Sequence, residues 1–343
     1  MHYKIFKLQK NPHVFETIAI TFTMTKIAII GYGNLGKALE RIAYASEDLN
    51  VAGIFTRRDT KQMTSPFGTA FFKQDGIFDM AQDIDVACIC TGSANDVTAL
   101  GVRLAAVVNT VDSFDTHAKM YDYFAAMDKA ATNANKLSII GAGWDPGLFS
   151  LMRALFEGVL PNGASHTFWG RGVSQGHSEA IRRIDGVLDA RQYTVPKDGA
   201  LRLAREGKAT LSDRDKHFRE CYVVAEDGAD RDRIRKSIVE IPNYFAPYDT
   251  SVTFIDAEQM KTEHSAMPHA GFVLRTGSVN GNTSRLEFSL KLDSNPDFTA
   301  AVMAAYARAN ARLASKGECG ARTVLDIPVS ALFDDRAEII KFI

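Results

Sequence analysis

No apolar run in this chain approaches the roughly 18–20 residues that a helix needs to cross a bilayer, so no membrane span is expected. Charge of one sign is missing too. The 40 Lys and Arg residues balance 41 Asp and Glu residues, for a formal net charge of −1. Nucleic-acid binders usually carry a basic excess, which leaves small molecules or a second copy of the chain as partners. Cysteine is scarce. The four, Cys88, Cys90, Cys221 and Cys319, show neither a C-x-x-C spacing nor a dense framework, which fits a reducing cytoplasmic compartment. His166, His177, His264 and His269 come without an H-E-x-x-H spacing or paired cysteines, so no metal is expected. Ser174 has no base nearby in a hydrolase arrangement, which argues against nucleophilic catalysis. Repeats and low-complexity segments are absent.

What is present is length enough for two domains: 343 residues. Residues 1–23 stand apart. Lys4, Lys7 and Lys10 precede only a short mixed run at 17–22 with no small-residue cleavage site, so a signal peptide is not expected. The fold opens just after Met24, which reads as the functional start behind a flexible extension. From there strand and helix patterns alternate, with strands at 27–30, 49–56, 84–90, 107–111 and 137–140, and helices over about 95–106 and 117–133. This succession predicts an α/β, Rossmann-type doubly wound dinucleotide-binding domain over 24–145. After Pro146 aromatic and β-branched stretches recur at 165–169, 219–225, 251–255, 271–276 and 285–292. Helices are expected near 149–160, 178–184 and 231–238. They predict an α+β second domain over 146–295 with a mostly antiparallel sheet. Asn295-Pro296-Asp297 would cap a helix over about 298–315, whose Ala-rich face returns the chain, with 296–343, to the first domain.

Gly31-Tyr32-Gly33-Asn34-Leu35-Gly36 lies between a strand and a helix, the context in which three glycines serve a dinucleotide. The first permits the turn, the second admits a pyrophosphate and the third lets helix and strand pack, while the helix N-terminus offers free amides. About 20 residues on, an NAD enzyme would place an acid against the ribose. Here stand Thr56-Arg57-Arg58, which suit a 2′-phosphate through charge-assisted contacts and favour NADP. Cys90-Thr91-Gly92-Ser93 forms a second glycine turn. It would lie against the cofactor or serve as an ordinary turn capped by Ser93. Two acids close the next strands, in Val111-Asp112-Ser113-Phe114-Asp115 and in Gly143-Trp144-Asp145-Pro146-Gly147. Ligands of open α/β sheets bind beyond the carboxyl ends of the strands, so Asp115 and Asp145 are placed to hold an ammonium and take its proton.

These segments resemble the meso-diaminopimelate dehydrogenase family. The resemblance rests on Gly-Tyr-Gly-Asn-Leu-Gly at 31–36, Phe-Thr-Arg-Arg at 55–58, Thr-Val-Asp-Ser-Phe-Asp-Thr-His at 110–117 and Gly-Trp-Asp-Pro-Gly-Leu-Phe-Ser at 143–150. It continues through His-Thr-Phe-Trp-Gly at 166–170, Ser-Gln-Gly-His-Ser at 174–178, Gln-Tyr-Thr-Val-Pro at 192–196, Met-Pro-His at 267–269 and Lys-Leu-Asp-Ser-Asn-Pro-Asp-Phe at 291–298. It implies reversible, NADP-dependent oxidative deamination at the D-centre of meso-2,6-diaminopimelate, in lysine and cell-wall precursor synthesis, by a cytoplasmic homodimer. The second domain would then bind substrate and mediate dimerisation.

By the same resemblance, Asp115 and Asp145 are catalytic and lie with Trp144 at the D-centre, and Trp169 lines the pocket. Gln175, Gly176 and Asn295 contact substrate. Thr194, Arg219 and His269 hold the distal L-centre, with Arg214 close by as an alternative arginine. Cofactor contacts fall on Gly31, Tyr32, Gly33, Asn34, Leu35 and Gly36, on Thr56, Arg57 and Arg58, and on Cys90, Thr91, Gly92 and Ser93. They continue on Ser113, Phe114 and Asp115, and on Ala142, Gly143, Trp144, Asp145 and Pro146. An aspartate serves either as base or as electrostatic support for a developing iminium. Two other readings stay open. One is another NADP oxidoreductase of this architecture, such as a broad-range D-amino-acid dehydrogenase. The other is a non-enzymatic NADP sensor, which needs no paired acids.

Overall fold

The computed structural model describes residues 3–11, 14–21, 24–92, 97–207 and 210–343, with side chains from 24 onward apart from that of Arg336. The chain divides into two units, Met1–Leu148 with Thr299–Ile343, and Phe149–Phe298.

Ahead of Met24, β1 (Tyr3–Asn11) and β2 (Val14–Thr21) pair antiparallel in a sheet of their own. The nucleotide-binding succession follows: β3 (Thr25–Ile30), α1 (Asn34–Tyr44), β4 (Leu49–Thr56), β5 (Phe71–Lys73), α2 (Ile77–Met80), β6 (Val86–Ile89), α3 (Val97–Ala105), β7 (Asn109–Asp112), α4 (Met120–Asn133) and β8 (Leu137–Ile140). The order β8-β7-β6-β3-β4-β5 is parallel throughout and reverses at β3. Buried on both faces, β3 is apolar without alternation, and Ile27, Ala28, Ile29 and Ile30 are fully buried.

The second unit takes in most of α5 (Leu148–Val159), then β9 (Gly163–Trp169), β10 (Gly172–Val173), α6 (Gln175–Arg182), β11 (Val187–Pro196), α7 (Asp198–Glu206), α8 (Asp213–Lys216), β12 (His217–Ala225), α9 (Arg231–Val239), β13 (Asp249–Phe254), α10 (Ala257–Glu263), β14 (His269–Val279) and β15 (Asn282–Leu292). Two sheets result, β10-β11-β12-β13 and β15-β14-β9. Both are antiparallel except for the parallel pair β12–β13. Ile181 of α6 and Ile234 and Ile238 of α9 pack with Cys221 and Val223 of β12. On the other sheet, Ala200, Leu201 and Ala204 of α7 pack with Phe168 and Leu274.

The helix α11 (Asn295–Ala314) then leads into β16 (Gly320–Thr323), which pairs parallel with β8 and makes the first sheet seven-stranded. Its cap is Ser294 rather than the expected Asn295. Phe298 N–H donates to Ser294 O at 3.2 Å and Asp297 N–H to Ser294 Oγ at 3.4 Å. Pro296 sits in the first turn, where a missing N–H costs nothing. Asn310 fastens the helix by donating to Thr110 O and Leu137 O, each at 3.0 Å.

Candidate functional site

In the first unit the chain leaves β3 through Gly31, whose φ of +95° suits glycine. A Cβ on Gly36 would collide with Gly31 O, so the helix approaches the turn as closely as backbone allows. A Cβ on Gly33 would meet nothing within 4 Å, leaving the loop open above it. Tyr32 points inward and donates its hydroxyl to Glu40, which is 1% exposed and also accepts from Ser65. Burial, then Glu40, pushes the Tyr32 phenol up to about 12, so it remains a donor at neutral pH. Thr56 ends β4, and the exposed Arg58 donates through Nη2 to Tyr32 O. Asp59 turns away to cap the next turn, accepting from Lys61 N–H at 3.2 Å. Beside Gly31 lies Thr91, whose buried Oγ1 has no partner among the described residues. Ser93 lies outside the described residues.

The two acidic loops leave neighbouring strands, since Val111 of β7 pairs with Ile139 of β8. Asp112 ties them together. Its buried carboxylate accepts Phe114 N–H and Gly141 N–H, each at 3.0 Å, and Tyr123 OH at 2.6 Å, while its carbonyl accepts Ala142 N–H at 2.7 Å. Burial raises the Asp112 pKa against the pull of these donors. Beyond it, Gly143 N–H donates to Pro146 O and Leu148 N–H to Gly143 O, both at 3.1 Å. Gly147 closes this turn at φ +133°, where a Cβ would collide with Gly143 O. The turn displays Trp144, 8% exposed, and the half-buried Asp145, while Asp115 is exposed on the other loop.

In the second unit, Thr194 of β11 stands opposite Arg219 of β12. Arg219 is 6% exposed, donates through Nη1 to Thr194 Oγ1 and lies 3.9 Å over the Tyr248 ring, yet its Nε has no partner among the described residues. Burial lowers its pKa. Arg214 is the exposed arginine, engaged with Asp249 at 3.1 Å and Pro247 O at 3.2 Å. Trp169 N–H donates to His217 Nε2 at 2.9 Å. Burial, then Arg219 and Lys216, holds His217 down to about 4, so it is neutral and accepts. Gly172 pairs with Thr194, and the His269 ring occupies the space a Cβ on Gly172 would need. Gln175 and Gly176 open α6, with Gln175 Nε2 3.5 Å from Met267 Sδ. Asn295 N–H donates to Met267 O at 2.9 Å. The expected residues of this unit thus lie on β9, β11, β12 and β14 and at the starts of α6 and α11.

His177 stands beside Ser174, where no base in a hydrolase arrangement is expected. Ser174 Oγ is hydrogen-bonded to His177 Nδ1 and caps α6 through His177 N–H. Burial, then Arg219, holds His177 down to about 3, too weak a base for a hydrolase pair. Asp112, His217 and Tyr248 escape sequence reasoning as site components. Tertiary pairing alone brings in His217 and Tyr248, whereas Asp112 stands inside the 111–115 segment and accepts from Phe114 N–H two residues on.

The family model for the diaminopimelic acid dehydrogenase C-terminal domain matches residues 143–294. A meso-diaminopimelate D-dehydrogenase of Acetivibrio thermocellus is 48% identical over 329 residues, 94% of this chain and 98% of the relative. The chain belongs to the meso-diaminopimelate D-dehydrogenase family. Its fold is the family's as well. The structure of C. glutamicum DAP dehydrogenase in complex with DAP is 40% identical and superposes with a TM-score of 0.87, covering 93% of this chain and 99% of that one. An engineered D-amino-acid dehydrogenase bound to NADP+ is 39% identical with a TM-score of 0.84, over 93% and 99% of the two chains.

Proposed function

We propose that the chain catalyses the reversible, NADP-dependent oxidative deamination of meso-2,6-diaminopimelate at its D-centre. The products are L-2-amino-6-oxopimelate, which cyclises to tetrahydrodipicolinate, ammonia and NADPH. Family membership supports the reaction and the cofactor. One observation carries the substrate: Arg219 is buried beside Thr194, and its Nε has no partner among the described residues. A buried cation without an acid partner is costly unless a ligand supplies the anion. A simple amino acid has no second carboxylate to offer, and diaminopimelate has one.

The residues present fit NADP. The open loop at Gly33 admits a pyrophosphate, Thr91 beside Gly31 has a buried Oγ1 with no partner among the described residues, and arginines follow β4 where an acid would repel a 2′-phosphate. NADP supplies the hydride acceptor. The chain's own residues do the rest. Asp115 and Asp145 hold the ammonium of the D-centre, and one of them takes its proton or supports the iminium charge. Trp144 covers the reacting end. Arg219, Thr194 and His269 hold the far carboxylate, with Trp169, Gln175, Gly176 and Asn295 completing the contact. Water then adds to the imine carbon and ammonia leaves.

The enzyme is proposed to act in the cytoplasm as a homodimer. No described helix is long and apolar enough to cross a membrane, and the four cysteines are free thiols. Along α5, Leu155 and Val159 are exposed beside the half-buried Leu151 and Met152, a stripe suited to a second copy. Leu155→Glu with Val159→Glu should elute as a monomer in gel filtration; an unchanged elution volume would remove α5 from the interface. For the reaction, purified protein should reduce NADP with meso-diaminopimelate and fail with the L,L isomer. Equal rates with simple D-amino acids would sink the narrow specificity.

A further inference from the structure

Among the fully buried polar residues of the second unit, Gln192 is one that the proposed clamp does not use. Gln192 lies within β11, 0% exposed, and meets the clamp from two sides. Its main-chain N–H donates to Ser178 Oγ and its carbonyl accepts from Ser174 N–H, both at 3.0 Å. Those bonds fix the start of α6, where Gln175 and Gly176 stand. Its side-chain Nε2 donates to Thr194 Oγ1 at 3.4 Å. The two residues are two apart on one strand and share a face. Thr194 Oγ1 also accepts from Arg219 Nη1.

A hydroxyl has two acceptor lone pairs and one proton. With an amide N–H and a guanidinium N–H both aimed at the oxygen of Thr194, its proton is left to donate away from both. Burial gives this orientation weight, because no bulk water competes for the hydroxyl. The Gln192 Oε1 atom is buried with no partner among the described residues, so packing an amide here is not explained by a saturated network. The bond to Thr194 is what the side chain contributes.

We propose that Gln192 is a positioning residue for substrate selection, fixing the Thr194 proton toward the non-reacting carboxylate of a two-ended amino acid. This rests on the substrate assignment above. A methionine at 192 would fill the same volume and leave the Arg219–Thr194 bond in place, but Thr194 would be free to turn its proton elsewhere. A glutamate would accept the Thr194 proton itself and turn it inward.

The test is steady-state kinetics of the holoenzyme with meso-diaminopimelate. Gln192→Met should raise its KM about five- to tenfold, the worth of one oriented hydrogen bond. The values of kcat and of KM for NADP should stay within about twofold. Gln192→Glu should raise KM further. In a Thr194→Val background, Gln192→Met should have no additional effect, because the proton it orients is gone. A merely structural Gln192 would raise KM equally in both backgrounds, and that result would overturn the proposal. So would a wild-type KM in Gln192→Met or, should that variant not fold, in Gln192→Glu. Absence of turnover by the wild type would overturn the substrate assignment itself, and is seen before any variant is made.

Discussion

Asp115 and Asp145 ride on loops that the main chain shapes, whereas Arg219 sits in a cluster that side chains hold together. In the first unit the fixed point is Asp112, which receives main-chain N–H groups from both loops. In the second, Arg219 bonds the Thr194 side chain and stacks on Tyr248, and the His217 ring accepts from the main-chain N–H of Trp169. The difference bears on what each region tolerates. A side chain displayed by a main-chain-braced turn can be changed with little else disturbed, so its loss reads out as chemistry. Members of a buried side-chain network answer for one another, and their losses are coupled.

The sharpest test of that contrast is Asp145→Asn. It keeps the shape of the turn but removes the charge, and kcat should fall roughly 10²- to 10⁴-fold, the usual range for a lost acid–base group. NADP affinity, read by titration of protein fluorescence, should barely move. A variant with normal turnover would take Asp145 out of the catalytic roles. Next in size is Arg219→Met, which should raise KM for meso-diaminopimelate on the order of 10²-fold, as expected for charge-assisted bonds in a buried place. It should also loosen its neighbours, visible as a lower melting temperature; a stability loss as small as that of Asp145→Asn would break the contrast. Smaller again, Arg57→Ala with Arg58→Ala should raise KM for NADP roughly 10- to 50-fold and leave that for NAD nearly alone. A parallel rise in both would remove the 2′-phosphate from these arginines.

The same contrast explains what could be read from the sequence. The glycine turn after β3, the arginine pair after β4 and the aspartate turns after β7 and β8 are contiguous, and each follows a buried apolar strand that announces itself. Strand β11 announces nothing. Its fully inward positions include Gln192 and Thr194, at 0% and 5% exposure, so the alternation that marks a half-buried strand is absent. The residues that make it part of the clamp are those that hide it. His217 and Tyr248 join the site only through pairing across β11, β12 and the segment before β13, at separations no local pattern records. The cap of α11 shifted to Ser294 because a first turn accepts Pro296 as readily as a loop does.

Acid should separate the two regions least dramatically but most directly. His177 and His217 are held down to about 3 and about 4 from an ordinary 6.5, by burial first and then by Arg219. In the unfolded chain each takes a proton near 6.5, while the folded unit refuses it. The stability that comes from keeping them neutral is therefore complete above about 6.5. It drains as pH falls and is gone below about 3, a loss on the order of a few kcal/mol for each histidine. Asp112 has the opposite sign: burial raises its folded pKa, so the first unit gains from this group as pH falls. Asp48, lowered by its bond with Arg308, offsets part of that gain. Hydrogen exchange followed between pH 7 and pH 4 should show strands β11 and β12 losing protection before β7 and β8 do. His217→Gln keeps an acceptor for Trp169 N–H without a titrating nitrogen, and should flatten the loss in the second unit. Equal loss in both units, unaltered by His217→Gln, would mean that the buried histidines do not set the acid limit of the clamp.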